Sequence, residues 1–235
     1  MQKKGRGMED APLTIVFDLD GTLVDTAPDL VAVADSMLVE MGARPLEPEA
    51  GRIAAGSGAR ALLTAGLEAS GMPLPAESDW PRLIGIFIER YRKRIARASR
   101  PFPGIVDFLA LARAQGYRLA VCTNKKEPLA VALLRALNLH GHFGAIVGAD
   151  TLGVGKPDPR PLRHSIEAAG GSPKRAVIIG DSHSDILAAR ALGIPSVLAA
   201  WGYLDAPPAC YQADFCIHAI EEALPLVADL AAGNG

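Results

Sequence analysis

The sequence predicts an α/β protein with a doubly wound, Rossmann-like parallel sheet and an α-helical cap inserted after the first strand. Three observations carry this. Short apolar runs ending in polar or glycine residues recur along the chain. Helical patterns separate most of them. Between the first run and the second, residues 26–100 show helical patterns and no convincing strand.

The runs are Leu13–Phe17, Arg118–Cys122, Ala145–Gly148, Ala176–Ile179 and, more weakly, Ser196–Ala199. They are short and mostly aliphatic or β-branched, as strands buried on both faces are. Helical patterns cover Gly104–Gln115, Glu127–Leu137, Pro161–Ala169 and Asp185–Leu192. The last is closed by Gly193, a fitting C-cap, with Pro195 beyond it. Such alternation calls for parallel strands joined by right-handed crossovers. Inside the insert, helical patterns cover Pro28–Met41, Pro48–Ala55, Ala59–Ser70 and Asp79–Ala98. Their joins carry Gly42, Pro45, Gly56, Gly58, Gly71, Pro73 and Pro75. The expected division is a catalytic core of residues 10–25 and 101–235 and a cap of residues 26–100. Open α/β sheets bind ligands at the C-terminal ends of their strands, so an insert there is placed to act as a lid.

Composition narrows the function. Hydrophobic residues make up 49% of the 235 and charged residues 21%, which fits a globular chain. A net charge of −2 lacks the basic footprint of a nucleic-acid binder. No apolar run approaches the ~20 residues of a membrane span. The basic start, Met1–Gly7, precedes no apolar signal region and reads as a loose tail. Cys122, Cys210 and Cys216 lack metal-ligand spacing and read as free thiols in a reducing compartment. The expectation is a cytoplasmic monomer or homodimer.

The chemistry sits at four strand ends, which parallel strands bring to one edge. Asp18 and Asp20 are two apart on an extended chain and point the same way. Gly21 and Thr22 then allow a sharp turn. Two close carboxylates repel unless a cation or a shared proton compensates, and Mg²⁺ suits oxygen ligands and a phosphate. Alone, Asp-x-Asp-Gly is as readily a plain turn. Thr123 and Asn124 offer a hydroxyl and an amide to phosphate oxygens, though both residue types also cap helices. Lys156, in Lys156-Pro157-Asp158-Pro159, can neutralise a phosphate and a neighbouring carboxylate from a proline-stiffened loop. Asp181 ends a strand, and Asp185 opens the next helix, where it can serve both a cap and a cation. The four together, in this order, are the argument.

These segments resemble the haloacid dehalogenase-like hydrolase superfamily over roughly Leu13 to Leu226. Phe17 to Asp25 resembles its nucleophile motif, Thr123 its second motif, Lys156 its third, and Gly180-Asp181 with Asp185 its fourth. The resemblance implies that Asp18 attacks phosphorus and forms an aspartyl-phosphate. It implies that Asp20 is the general acid and base. It assigns Mg²⁺ to Asp18, the Asp20 backbone carbonyl and Asp181, with Asp185 in support. Lys156, Thr123 and Asn124 would stabilise the transferring phosphoryl group. Asp20 argues against dehalogenation and phosphonate cleavage, whose enzymes lack it.

Within the superfamily the chain is similar to bacterial phosphoglycolate phosphatases. The likeness lies in Asp25-Thr26-Ala27-Pro28-Asp29-Leu30, Gly56-Ser57-Gly58-Ala59-Arg60, Val121 to Lys125, and Trp201-Gly202-Tyr203. Lys126, where proline is usual, and His183 depart from that pattern. The implied substrate is a small phosphorylated metabolite, 2-phosphoglycolate, with Gly56 and Arg60 as cap contacts. Arg suits its carboxylate bidentately. The alternatives are another small phosphate ester or pyrophosphate as substrate, or a hexose phosphate mutase. A mutase needs phosphate-gripping residues near the hinge, and none is clear between Asp25 and Met41. A silent binding protein is opposed by the presence of Asp18, Asp20, Lys156 and Asp181. The basic stretch Arg90–Arg100 reads as a solvated helix face.

Overall fold

The computed structural model describes residues 12–232; the segment Met1–Gly7, and residues 10, 11 and 233–235 of the expected core, lie outside them. In chain order the elements are β1 (Thr14–Phe17), β2 (Val24–Asp25), α1 (Ala27–Glu40), α2 (Pro48–Gly56), α3 (Gly58–Ala69) and α4 (Trp80–Arg92). There follow β3 (Arg100–Pro101), α5 (Ile105–Ala114), β4 (Arg118–Cys122), α6 (Glu127–Ala136), β5 (Ala145–Val147) and α7 (Pro159–Ala168). The chain continues with β6 (Ala176–Gly180), α8 (His183–Leu192), β7 (Ser196–Ala199), β8 (Phe215–Ile217) and α9 (Ala223–Ala232).

Six strands form one parallel sheet in the order β5-β4-β1-β6-β7-β8. The chain builds outward from β1 through β4 and β5, then restarts on the other side of β1. That reversal opens a crevice beyond the C-terminal end of β1. Every residue of β1 is buried, and successive side chains go to opposite layers. Ile15 and Phe17 join Ile105, Leu109, Leu133 and Val227 from α5, α6 and α9. Val16 joins Leu162, Ile166, Ala188 and Ala189 from α7 and α8. Burying each such Ile, Leu or Phe contributes roughly 1.5–3 kcal/mol.

Helices α1 to α4 share a separate apolar cluster built on Leu38, Leu62, Leu63, Leu67, Phe87 and Tyr91. Gly66 lets α3 approach α1: a Cβ there would lie 2.2 Å from Leu38. Two buried residues from outside the insert enter this cluster, Leu129 of α6 and Tyr203 after β7, and partly buried Phe102 packs against it. The chain leaves for the helices and returns through an antiparallel neck, Val24 opposite Pro101 and Asp25 opposite Arg100. Fully buried Asp29 accepts hydrogen bonds from the Ala98 and Ser99 amides and the Ser99 hydroxyl, each at 2.8 Å.

That capture explains a difference from the sequence reading. Helix α4 ends at Arg92 rather than at Ala98. The backbone at 98–99 donates sideways to Asp29 instead of back along a helix. Arg90 pairs with Glu40, Lys93 lies 4.0 Å from Glu89, and none of the Arg90–Arg100 residues except Tyr91 lines the site cavity. Strand β8 and helix α9 carry no clear sequence signal. One has three residues with Cys216 exposed, and the other is apolar except for Asp229, with Pro225 in its first turn. No described helix is long and apolar enough to cross a membrane.

Candidate active site

The turn after β1 is shaped for close packing. The Asp18 amide donates to Ile179 at 3.0 Å, which ties the strand end to β6. Gly21 has φ +84°, and a Cβ there would meet the Asp181 carboxylate at 2.1 Å. Gly202 presses on Asp181 from the other side, with a Cβ position 2.2 Å from that of Asp181. Only glycine leaves room for this carboxylate at both contacts.

Lys156 is buried at the centre of a charge cluster. Its Nζ lies 2.9 Å from Asp18 Oδ1 and donates to Asp185 Oδ1 and to the Cys122 carbonyl, each at 2.6 Å. Burial alone would lower its pKa, but the charges of Asp18 and then Asp185 override that and raise it. Asp185 Oδ2 accepts from the Ser182 amide at 3.1 Å and hydroxyl at 2.6 Å, closing a capping box on α8. Its capping and site roles therefore coexist.

Asp181 accepts from the Thr22 hydroxyl at 2.8 Å and from the Tyr203 amide at 2.7 Å. Burial, then the charges of Asp18 and Asp185, push it up to about 8. Burial pushes Asp18 up to about 6, against the pull of Lys156. Asp18, Asp181 and Asp185 bring carboxylate oxygens within 4.8 Å of one another. Asp18 Oδ1 is buried and makes no aligned hydrogen bond, despite the nearby ammonium. Fully ionised, four carboxylates (Asp18, Asp20, Asp181, Asp185) against two ammonium groups (Lys125, Lys156) leave an excess of two negative charges. All-oxygen donors with that excess fit a hard divalent cation.

Asp20 turns to a different partner. Lys125 Nζ donates to both its oxygens at 2.8 Å, and the Thr26 hydroxyl donates to Oδ1 at 2.7 Å. Lys125 sits 4.7 Å from the ring centre of Tyr91 on α4. Burial would lower the Lys125 pKa, but Asp20 raises it further. The Asp20 carboxylate is not among the clustered oxygens, so only its backbone carbonyl is left for the expected metal contact.

A cavity of about 500 Å³ lies between the strand ends and the helical insert. Asp18, Asp20, Thr123, Asn124 and Asp181 line one side, and Ile53, Gly56, Ser57, Gly58, Phe87 and Tyr91 the other. Thr123 Oγ1 accepts from the Lys125 amide at 3.2 Å, so its own proton is available. Asn124 Nδ2 donates to the Lys156 carbonyl at 3.0 Å, which steadies the lysine loop. Gly56 is pressed on Tyr203, where a Cβ would lie 3.2 Å from the tyrosine Cβ.

Arg60 lies apart from the other expected site residues. It does not line the cavity. Its guanidinium pairs with Glu77 and lies 4.7 Å over the Trp80 ring, at the surface. The structure thus brings Asp18, Asp20, Thr123, Asn124, Lys156, Asp181, Asp185 and Gly56 together and leaves Arg60 outside.

Sequence reasoning gave no site role to Lys125, Thr22 or Tyr203. The Tyr203 hydroxyl accepts from the Thr26 and Ala27 amides at 2.6 and 2.8 Å and donates to Asp25 Oδ1 at 2.7 Å. It satisfies two open amides at the start of α1 while its own amide holds Asp181. Tyr203→Phe strands those groups, which costs about 1–3 kcal/mol. The expected Tm drop by calorimetry is roughly 2–10 °C; an unchanged Tm would show that water replaces the phenol without loss.

The parallel sheet, the helical insert and the carboxylate–lysine cluster define a capped α/β hydrolase. The haloacid dehalogenase-like hydrolase family matches residues 15–199, and the chain belongs to that family. It is 47% identical over 205 residues to the phosphoglycolate phosphatase of Caulobacter vibrioides, covering 87% of this chain and 86% of that one. Its structure is similar to that of a predicted phosphoglycolate phosphatase from Haemophilus somnus 129pt, at 28% identity and TM-score 0.82, covering 94% and 99% of the two chains. It is also similar to CbbY from Rhodobacter sphaeroides in complex with phosphate, at 25% identity and TM-score 0.74, covering 91% and 96%.

Proposed function

We propose that this protein is a Mg²⁺-dependent phosphomonoester hydrolase that cleaves 2-phosphoglycolate to glycolate and phosphate through an aspartyl-phosphate on Asp18. The observation that carries the reaction class is the buried Asp18 carboxylate facing the cavity with Lys156 2.9 Å away. The substrate rests on the name of the Caulobacter vibrioides relative.

The Asp18 carboxylate oxygen attacks phosphorus, and the ester oxygen leaves with a proton from Asp20. Asp20 then takes a proton from water as that water attacks the same phosphorus, which releases phosphate and restores Asp18. Lys156 and the Thr123 hydroxyl meet the negative charge on the phosphoryl oxygens. Asn124 holds the Lys156 loop through its bond to the backbone carbonyl. Asp18, Asp181 and the Asp20 carbonyl would hold Mg²⁺, with Asp185 in support through Lys156 and Ser182. When bound, the ion would supply charge neutralisation at the phosphoryl group and offset the site's excess of negative charge. The protein works in the cytoplasm on a small phosphorylated metabolite.

The test is phosphate release, with Mg²⁺, from 2-phosphoglycolate, hexose phosphates, nucleotides, pyrophosphate and p-nitrophenyl phosphate. We expect 2-phosphoglycolate to give the highest kcat/KM. A higher value for another ester moves the substrate. Isomerisation of a sugar phosphate without phosphate release would make the protein a mutase.

A further inference from the structure

We propose that Lys126 is the specificity-determining cation of the cavity, the residue that pairs with a second anionic group on the substrate. This deepens the phosphohydrolase reading and rests on it. Most positive charge near the cavity is already committed to partners within the protein. Lys156 is taken by Asp18, Asp185 and the Cys122 carbonyl, and Lys125 by Asp20. Arg52 donates to the Trp201 carbonyl at 2.7 Å and sits 5.3 Å from the Tyr203 ring centre. Arg60 is held by Glu77 and Trp80. His183 stacks on Tyr211 with ring centres 4.1 Å apart and faces Asp205.

Lys126 is left. It is exposed, it lines the cavity, and among the described residues its ammonium has no hydrogen-bond or ion-pair partner. Its root is fixed: it is the N-cap of α6, and its carbonyl accepts from Leu129 and Ala130 at 3.0 Å. A rooted stem with a free head suits a charge that waits for a ligand. Across the cavity, Leu30, Ile53, Ile84, Phe87 and Ile88 are apolar and offer an anion nothing. Ser57, Gly58 and Ala59 at the start of α3 also line that side but bring no side-chain cation, so a carboxylate or second phosphate at the far end of a phosphate ester finds its one uncommitted ammonium in Lys126.

The experiment compares 2-phosphoglycolate, a sugar bisphosphate and p-nitrophenyl phosphate, which has no second anion. In Lys126→Met the kcat/KM ratio of the preferred dianionic ester to p-nitrophenyl phosphate should fall by roughly tenfold or more, mainly through KM. Lys126→Arg should keep most of the ratio, and Arg60→Ala should not change it. Whichever of the two esters loses most identifies a carboxylate or a phosphate as the second anion. Equal losses on all three esters, or no loss, overturn the proposal. If wild type hydrolyses none of them, the phosphohydrolase reading fails, and binding decides this inference alone. In that case 2-phosphoglycolate should raise the Tm of wild type more than inorganic phosphate does, and Lys126→Met should abolish the excess. An excess equal in both proteins overturns it.

Discussion

Asp18→Asn is expected to lower kcat for phosphate-ester hydrolysis by about 10⁴-fold or more, while the protein stays folded. Asn keeps the shape of the side chain but is not a nucleophile at phosphorus. It also removes a charge that the site tolerates poorly, since burial pushes Asp18 up to about 6. Lys156 keeps Asp185 and the Cys122 carbonyl as partners, so no buried ammonium is stranded. The metal-free variant should therefore melt no lower than wild type at pH 7.5. Trapping settles the chemistry separately: acid-quenched wild type turning over substrate should carry a phosphoryl mass on the peptide containing Asp18, and the variant none. Full activity in Asp18→Asn, or a phosphoryl mass elsewhere, would remove Asp18 from the role of nucleophile.

What was readable in the sequence has a physical pattern. Strand ends were legible because β1, β4, β6 and β7 are buried almost throughout, so their apolar runs stop where the polar chemistry starts. Parallel order then brings Asp18, Thr123, Lys156 and Asp181 to one edge with no knowledge of contacts. Illegible features depend on partners distant in sequence. Lys125 meets Asp20 across 105 positions, and nothing local says which of Lys125 and Lys126 pairs with that carboxylate. Tyr203 reaches Asp25 across 178. Arg60 shows the limit of reading a loop motif by composition. Gly58 and Ala59 line the cavity, but each helical step turns about 100°, and the next residue points to Glu77 on the outer surface. The helix that sequence extends to Ala98 stops early for a similar reason, since Asp29 sits 69 positions before the amide it captures.

Divalent cation removal should have an effect nearly as large as Asp18→Asn, with a distinctive dependence on pH. Metal at a phosphoryl group supplies several kcal/mol of charge stabilisation, so chelation should lower kcat/KM on the order of 10³-fold. The stability readout follows from the carboxylates. Asp181 is raised to about 8 and Asp18 to about 6, both above the 3.8 of an unperturbed aspartate. The metal-free fold therefore holds protons that the unfolded chain has released. Its stability is greatest, as far as these groups go, below about pH 4, and it falls as pH rises through 6 and toward 8. A cation replaces those protons, so its stabilisation runs the other way and grows over the same window. At pH 8 and a hundredfold excess of Mg²⁺ over its Kd, the gain is about 2.7 kcal/mol, or roughly 5–10 °C in Tm. Melting curves in EDTA and in Mg²⁺, taken from pH 5 to 8.5, should diverge as pH rises. Asp181→Asn should flatten the EDTA series and remove most of the Mg²⁺ shift, because it deletes both the raised carboxyl and a ligand. Parallel curves across the pH range would mean that Asp18 and Asp181 do not bind the cation.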